Sequence, residues 1–302
     1  MKRILLRTLV VTSIGVAPLA EAQTLFSQNF DAQTTGNTVS GFSAVTPTTA
    51  TARPTGRGAV IVDEGLLNRA LNVYDFDTVN PVRAEQDFGP QSSAHLSLTF
   101  RRNADIAIDT SAESTRAFYV TFGLNGTSQG TQANRLIEFR LFNNGAYRMN
   151  RGVQDASGNF VSASLTPAAS FEPAGTTFGT SSLDIFVYDN TPGGSTLAYT
   201  GPDTVARVLD PNSFSVFINN TFITPSSSPT ANGNFGLFQS TVYSTDNNVG
   251  RFAFVSGGAS AISGVDFVVD NVVLSAIPEP SALAMIGIGG LLFAGARRFW
   301  RK

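Results

Sequence analysis

Hydrophobic side chains recur at every second position along most of this 302-residue chain, the period of a strand with one buried face. Leu96, Leu98 and Phe100 alternate with Ser97 and Thr99. Phe118, Val120, Phe122 and Leu124 follow, and Ile137, Phe139 and Leu141 alternate with Glu138 and Arg140. Further runs are Leu183, Ile185 and Val187, then Phe214, Val216 and Ile218, then Phe252 and Phe254, then Val265, Phe267 and Val269. Turn-forming clusters separate them: Asn143-Asn144-Gly145, Ser157-Gly158-Asn159, Asn190 to Gly194, Asn219-Asn220 and Asn232-Gly233-Asn234. Helical periodicity is not sustained, and no repeat of fixed period is present, which disfavours a solenoid or propeller. Many short strands with polar turns predict an all-β fold, a β-sandwich. Thr46 to Gly58 and Pro225 to Pro229 read as loops too short to be domain linkers. Strand spacing continues on both sides of each, so a single large antiparallel sandwich is predicted over residues 23–275.

The pattern changes at both ends. Lys2, Arg3 and Arg7 precede an apolar run from Thr8 to Val16 and a small-x-small site, Ala20-Glu21-Ala22. This is the layout of a signal peptide over residues 1–22, with mature protein starting at Gln23. At the other end, Ile277-Pro278-Glu279-Pro280-Ser281 is followed by an uncharged stretch from Ala282 to Ala296 and by Arg297, Arg298, Phe299, Trp300, Arg301 and Lys302. The two prolines bar helix continuation, so an apolar helix begins near Ser281, a natural N-cap. About 20 apolar residues span a bilayer core. This C-terminal transmembrane helix reaches that length only with Phe299 and Trp300 at the interface and the arginines snorkelling. Arg297, Arg298, Arg301 and Lys302 act as a membrane stop on the cytoplasmic side, which places everything before Pro278 on the exported side. A cytoplasmic enzyme is excluded.

Pro278-Glu279-Pro280, the Gly/Ala/Leu helix and the arginine cluster, in that order, resemble the PEP-CTERM sorting signal of Gram-negative bacteria over residues 277–302. The resemblance implies an exosortase-type processing enzyme as partner, a transient stay in the inner membrane, and release toward the cell surface or extracellular matrix. It also implies a biofilm setting in bacteria that make exopolysaccharide.

Composition narrows the exported part. Of 20 Lys and Arg, three lie in the first segment and four in the last; of 22 Asp and Glu, Glu21 and Glu279 drop out, which leaves 13 against 20 and a charge of about −7. Nucleic acid is a poor partner for such a domain. Both lysines, Lys2 and Lys302, lie in the end segments, so every basic side chain of the middle is arginine. Cysteine is absent, so the exported domain needs a large apolar core, which the 24 phenylalanines can furnish.

Leu25-Phe26-Ser27-Gln28-Asn29-Phe30-Asp31, the run Arg69-Ala70-Leu71-Asn72-Val73, the hairpin from Phe214 to Ile223 and the closing Val269-Asp270-Asn271-Val272-Val273-Leu274 resemble concanavalin A-like lectin/glucanase sandwiches. The closing strand is equally similar to smaller galactose-binding jelly rolls, but one of those would leave about a hundred residues over. The resemblance implies a concanavalin A-like jelly roll, carbohydrate binding, and a structural calcium held by Asp31 and Asp270. Asp270 interrupts a run apolar on both faces, so a cation, a backbone N–H or an arginine must satisfy it. The rival reading is a hydrogen-bonded aspartate tying the two terminal strands.

Other chemistry is thin. Glu85-Gln86-Asp87-Phe88-Gly89-Pro90 approaches the paired-carboxylate strand of glucan hydrolases, but proline stands where the last glutamate belongs and is unwelcome in a central strand. Glu85 and Asp87 therefore read as solvated charges on a loop or edge. His95, the single histidine, lies near Ser92 and Ser93 without a nucleophile elbow and reads as a surface residue. Asp75-Phe76-Asp77 begins like a calcium loop but lacks the later ligands. With no tryptophan in the exported part, Tyr147 with Arg148 and Asn150 is the candidate carbohydrate site, against the reading of a strand tyrosine covering the sandwich edge. The expected protein is a non-enzymatic, exported surface or matrix protein associated with exopolysaccharide. The alternatives are a polysaccharide hydrolase or lyase on the same sandwich and a purely structural or adhesive protein.

Overall fold

The computed structural model describes residues 22–52, 56–65, 68–77, 81–103, 117–130, 134–154, 160–164, 166, 169–190, 194–227, 229–237, 249–257 and 264–278. Residues 1–21 of the expected signal peptide, Glu279 and Pro280, the expected membrane helix with its basic cluster, and the Ser157-Gly158-Asn159 turn lie outside the described residues. Among the described residues no helix is long and apolar enough to cross a membrane.

Among the described residues, every named element is a strand. One sheet runs in the order β16 (Thr221–Phe222), β15 (Ser213–Ile218), β12 (Ser181–Tyr188), β6 (Ser93–Arg102), β19 (Val265–Ser275), β4 (Asn68–Asp75), β3 (Arg57–Gly65). In addition, β1 (Thr24–Gln28) pairs with β19, and β17 (Phe235–Gly236) with β15. The second sheet runs β10 (Phe160–Ser164), β9 (Ala146–Gln154), β8 (Arg135–Leu141), β7 (Ala117–Leu124), β18 (Val249–Gly257), β5 (Arg83–Gln91), β2 (Ala44–Thr46), with β11 (Ala169–Ser170) on β9. A separate hairpin joins β13 (Leu197–Thr200) to β14 (Ala206–Leu209). All these pairings are antiparallel, as between β19 and β6 or β18 and β7.

The predicted inward positions meet between the sheets. Leu96, Leu98 and Phe100 of β6 and Val265, Phe267 and Val269 of β19 share one buried cluster with Phe118, Val120 and Phe122 of β7 and Phe252 and Phe254 of β18. Rings lock across the gap: Phe118 stacks on Phe267 at 5.1 Å between centroids, and Phe100 meets Phe139 edge-on at 6.4 Å. The twelve largest fully buried side chains are all phenylalanine. Aromatic volume thus builds the core that disulfides do not support.

Several strands are buried on both faces, β7, β12 and β15 among them, which alternation does not announce. The β13–β14 hairpin lies against the outer face of β12 and β15, burying Phe186, Tyr188 and Phe217 with Leu197, Tyr199 and Leu209 in a second cluster. On β7 the outward Tyr119 and Thr121 are buried as well. The predicted turns hold where described: Asn219 and Asn220, with φ of 49° and 59°, join β15 to β16 as a two-residue hairpin turn.

Two sequence readings shift. Thr46 and Arg57, read as loop, are the last residue of β2 and the first of β3. Glu85 and Asp87, read as charges on a loop or edge, lie within β5, between β2 and β18. Pro90 is accommodated because the β5–β18 register slips from Asp87↔Arg251 to Gln91↔Val249, a bulge that frees the proline from the ladder. The compact unit spans Ala22–Ile277.

Phe118→Ala removes a ring held by both Phe254 and Phe267. The expected loss is about 3–5 kcal/mol of unfolding free energy, read by urea titration of the exported domain.

Candidate functional site

Chemistry-bearing side chains concentrate on the outer face of the second sheet. The register sets Glu138 of β8 beside Thr121 of β7 and Asn150 of β9, and Arg140 beside Tyr119 and Arg148. On the same sheet Glu85 and Asp87, two residues apart on β5, point outward with Arg251 of β18. The loop after β7 closes over them. Gln129 N–H donates to Glu85 (2.7 Å) and Gly126 N–H to Asp87 (3.0 Å), while the Arg83 guanidinium reaches the Ser128 hydroxyl. Gly250 permits the close approach of that loop, since a Cβ there would lie 2.5 Å from that of Asn125.

Arginine pairs with Glu85, Asp87 and Glu138 on this face. Arg251 donates from Nη1 to Glu85 at 2.9 Å, from Nε to Asp87 at 2.6 Å, and to the Thr127 carbonyl at 2.9 Å. Arg135 and Arg140 hold the two oxygens of Glu138 at 2.9 and 2.6 Å. The Arg251 hydrogen bond keeps Asp87 below the usual carboxylate range against the pull of burial. Burial alone would push Glu138 up, but Arg135 and Arg140 together outweigh it and hold its carboxyl low. Tyr119 lies under both guanidiniums, 4.9 Å from Arg135 and 5.2 Å from Arg140. Burial nevertheless raises its phenol above the ordinary value. A retaining glycosidase needs one protonated carboxyl and one ionised partner. Glu85 and Asp87 instead share a single arginine, and its hydrogen bond holds Asp87 in the ionised form.

Strand parity divides the predicted carbohydrate trio. Arg148 and Asn150 belong to the outer face, whereas Tyr147 is buried in the core, its ring 5.6 Å from that of Phe139 and its hydroxyl pushed up by burial. The tyrosine on the outer face beside Arg140 is Tyr119, which the sequence did not single out because it sits between two core positions.

Asp270 lines a cleft of about 210 Å³ on the first sheet with Glu64, Asn68, Thr99, Arg101 and Asn271. Burial pushes its carboxyl up and the charges of Asp31 and Glu64 add to this, while the Asn271 N–H opposes at 2.7 Å. Glu64 is held by Arg101 at 2.7 and 2.8 Å, and Asp31 accepts the Arg69 N–H at 2.9 Å. Among the described residues no three His, Cys, Asp or Glu side chains converge on a point that could hold a metal ion. None of the three carboxylates is without a protein donor. Nor does Asp270 tie the terminal strands, which are joined by the β1–β19 ladder from Gln28↔Val272 to Thr24↔Ser275.

His95 Nε2 lies 2.9 Å from Asp184 Oδ1, with its ring stacked on Phe186 at 3.9 Å. Ser93 does not complete a triad: its hydroxyl donates to the Ile277 carbonyl at 2.9 Å. That bond belongs to the exit of the chain from the sandwich. Ala276 N–H donates to the Gln23 carbonyl at 2.8 Å, and Ile277 is buried in the cluster under the β13–β14 hairpin. The next residue is Pro278.

Residues 276–302 match the PEP-CTERM protein-sorting motif. The motif indicates an exported protein processed by an exosortase-type enzyme, anchored transiently in a membrane and then surface-bound or extracellular. No curated protein matches the chain. Among solved structures, the chain is similar to the alginate lyase Aly36B, with 14% identity over 84% of this chain and 97% of that one and a TM-score of 0.42. It is also similar to the marine PL-14 alginate lyase from Aplysia kurodai, with 12% identity over 84% and 100% and a TM-score of 0.48. A third is the cellulose-induced protein Cip1, with 10% identity over 82% and 96% and a TM-score of 0.42. Likeness at this level carries no statement about activity.

Two measurements check this electrostatic description. Asp87 and Glu138 have lowered folded-state pKa values. Their contribution to stability is therefore full above the unfolded values near 4 and is lost as pH falls through the folded ones. Glu138→Gln is expected to flatten the fall of melting temperature below about pH 4, read by thermal scans across pH. Excess chelator is expected to leave the melting temperature of the exported domain within about 1 °C of its value in calcium.

Proposed function

We propose that this protein is a non-catalytic, exported cargo of the PEP-CTERM sorting route. Its tail stops it briefly in the inner membrane, and an exosortase-type enzyme cuts near Pro278-Glu279-Pro280. The sandwich is then left at the cell surface or in the extracellular matrix in association with exopolysaccharide. The observation that carries this reading is the sorting motif at residues 276–302, directly continuous with the folded domain.

Two features support a binding role over a cutting one. The carboxylates nearest to a hydrolytic pair are held by Arg251, and burial raises the Tyr119 phenol, the opposite of what a lyase base needs. On the same face Arg140 and Arg148 are partly exposed, and guanidiniums are groups that meet sugar hydroxyls and sugar carboxylates, whereas Tyr119 and Asn150 beside them are buried.

The test is Glu279→Gln in the exporting host. The expected outcome is full-length protein retained in the inner-membrane fraction, while the natural chain is released and sediments with purified exopolysaccharide. Release of the variant at the natural rate would remove the sorting reading. Free sandwich that stays in the supernatant at every polysaccharide concentration would remove the matrix association.

A further inference from the structure

The fold leaves no slack before the sorting motif. Ser275 is paired with Thr24, the Ala276 N–H extends that ladder to Gln23, and the Ile277 carbonyl accepts the Ser93 hydroxyl. Ser93 is 3% exposed and Ile277 8% exposed, the latter among Phe186, Leu197, Tyr199 and Leu209. Every residue up to the one that precedes Pro278 is thus held by main-chain pairing, a buried hydroxyl or an apolar patch. An enzyme that cuts a peptide binds it extended across several residues, commonly by adding it to a strand of its own. A backbone already committed to a sheet cannot do so.

We propose that Ser93 and Ile277 are positioning residues that set the access of the processing enzyme to the motif. While Ser275, Ala276 and Ile277 are docked, the approach to Pro278 is closed. Processing passes through the state in which these three residues have left β1, the end of β6 at His95 and the hairpin patch, and their release yields about 10 Å of extended chain. When such opening is fast relative to cutting, the rate follows the population of the open state. Weakening the dock therefore speeds processing. This inference rests on the sorting reading above.

Pulse-chase labelling of the full chain in the exporting host tests it, with the fraction processed as readout and protease resistance of the sandwich as the control for folding. Ser93→Ala, 184 residues from the dock in sequence, removes the hydroxyl and is expected to speed processing about fivefold. Ile277→Ala is expected to speed it about tenfold, and Ile277→Val to restore nearly the natural rate. Insertion of Gly-Ser-Gly-Ser between Ile277 and Pro278 leaves the dock intact and supplies reach. It is expected to speed processing with unchanged protease resistance, and Ser93→Ala added to it is expected to have no further effect. Unchanged or slower processing in Ser93→Ala and in the insertion variant, with Glu279→Gln still retained, would overturn the docking inference and leave the sorting reading standing. Release of Glu279→Gln at the natural rate would remove the sorting reading itself.

Discussion

The last strand holds the sandwich together. β19 lies inside the first sheet, with β6 along one side and, on the other, first β4 and then β1. A bulge between Asp270 and Val273 changes the partner, and Asn271 takes a φ of 52° to make it. The bulge also changes the phase of burial. Val265, Phe267 and Val269 point inward before it, and Val272 and Leu274 after it, so Val273 is left exposed. Asp270 and Asn271 sit where the phase turns over. This explains a carboxylate inside an apolar run, because the main-chain N–H released by the bulge is the one it accepts.

The outer face of the second sheet follows from a different constraint. With arginine as the only strong cation of the exported part, Glu85, Asp87 and Glu138 are each matched by a planar fork that can bind two oxygens or two partners at once. Arg251 does both, joining Glu85, Asp87 and the loop carbonyl of Thr127. Buried ion pairs add little net stability, but loss of one partner strands a charge. The network therefore fixes the geometry of β5, β18 and the loop after β7 more than it strengthens the fold. It also lowers the affinity of Asp87 and Glu138 for protons.

The inward faces were legible because alternation reports burial between two sheets, as at Leu96, Leu98 and Phe100. The outward faces were not. Phe186 and Phe217 read as the opposite phase of their strands, and nothing local says that a hairpin near residue 200 will cover them. Tyr147 shows the parity error in its simplest form: adjacent strand residues face opposite ways, so Tyr147, Arg148 and Asn150 could not share a site. A parity count from Phe139 and Leu141 would have moved attention from Tyr147 to Tyr119. Arg251 as the clamp of Glu85 and Asp87 lies 164 and more residues away, a separation at which a single sequence carries no pairing signal.

The placement of β19 also joins folding to sorting. A sheet whose interior strand comes last cannot close until that strand is available, and pairing of Thr24 with Ser275 makes the ladder about as non-local as a chain of this length allows. Ser275 stands three residues before Pro278, so the segment that completes the domain runs directly into the sorting motif. Two demands then fall on the same backbone: pairing with β1 favours a closed edge, and a processing enzyme requires an open one. Beyond the pairing of Ser275 with Thr24 and His95, the dock is made of one hydroxyl bond, one further ladder bond and one aliphatic side chain. In the docking we propose, such a set holds the edge closed most of the time and opens without unfolding the phenylalanine core.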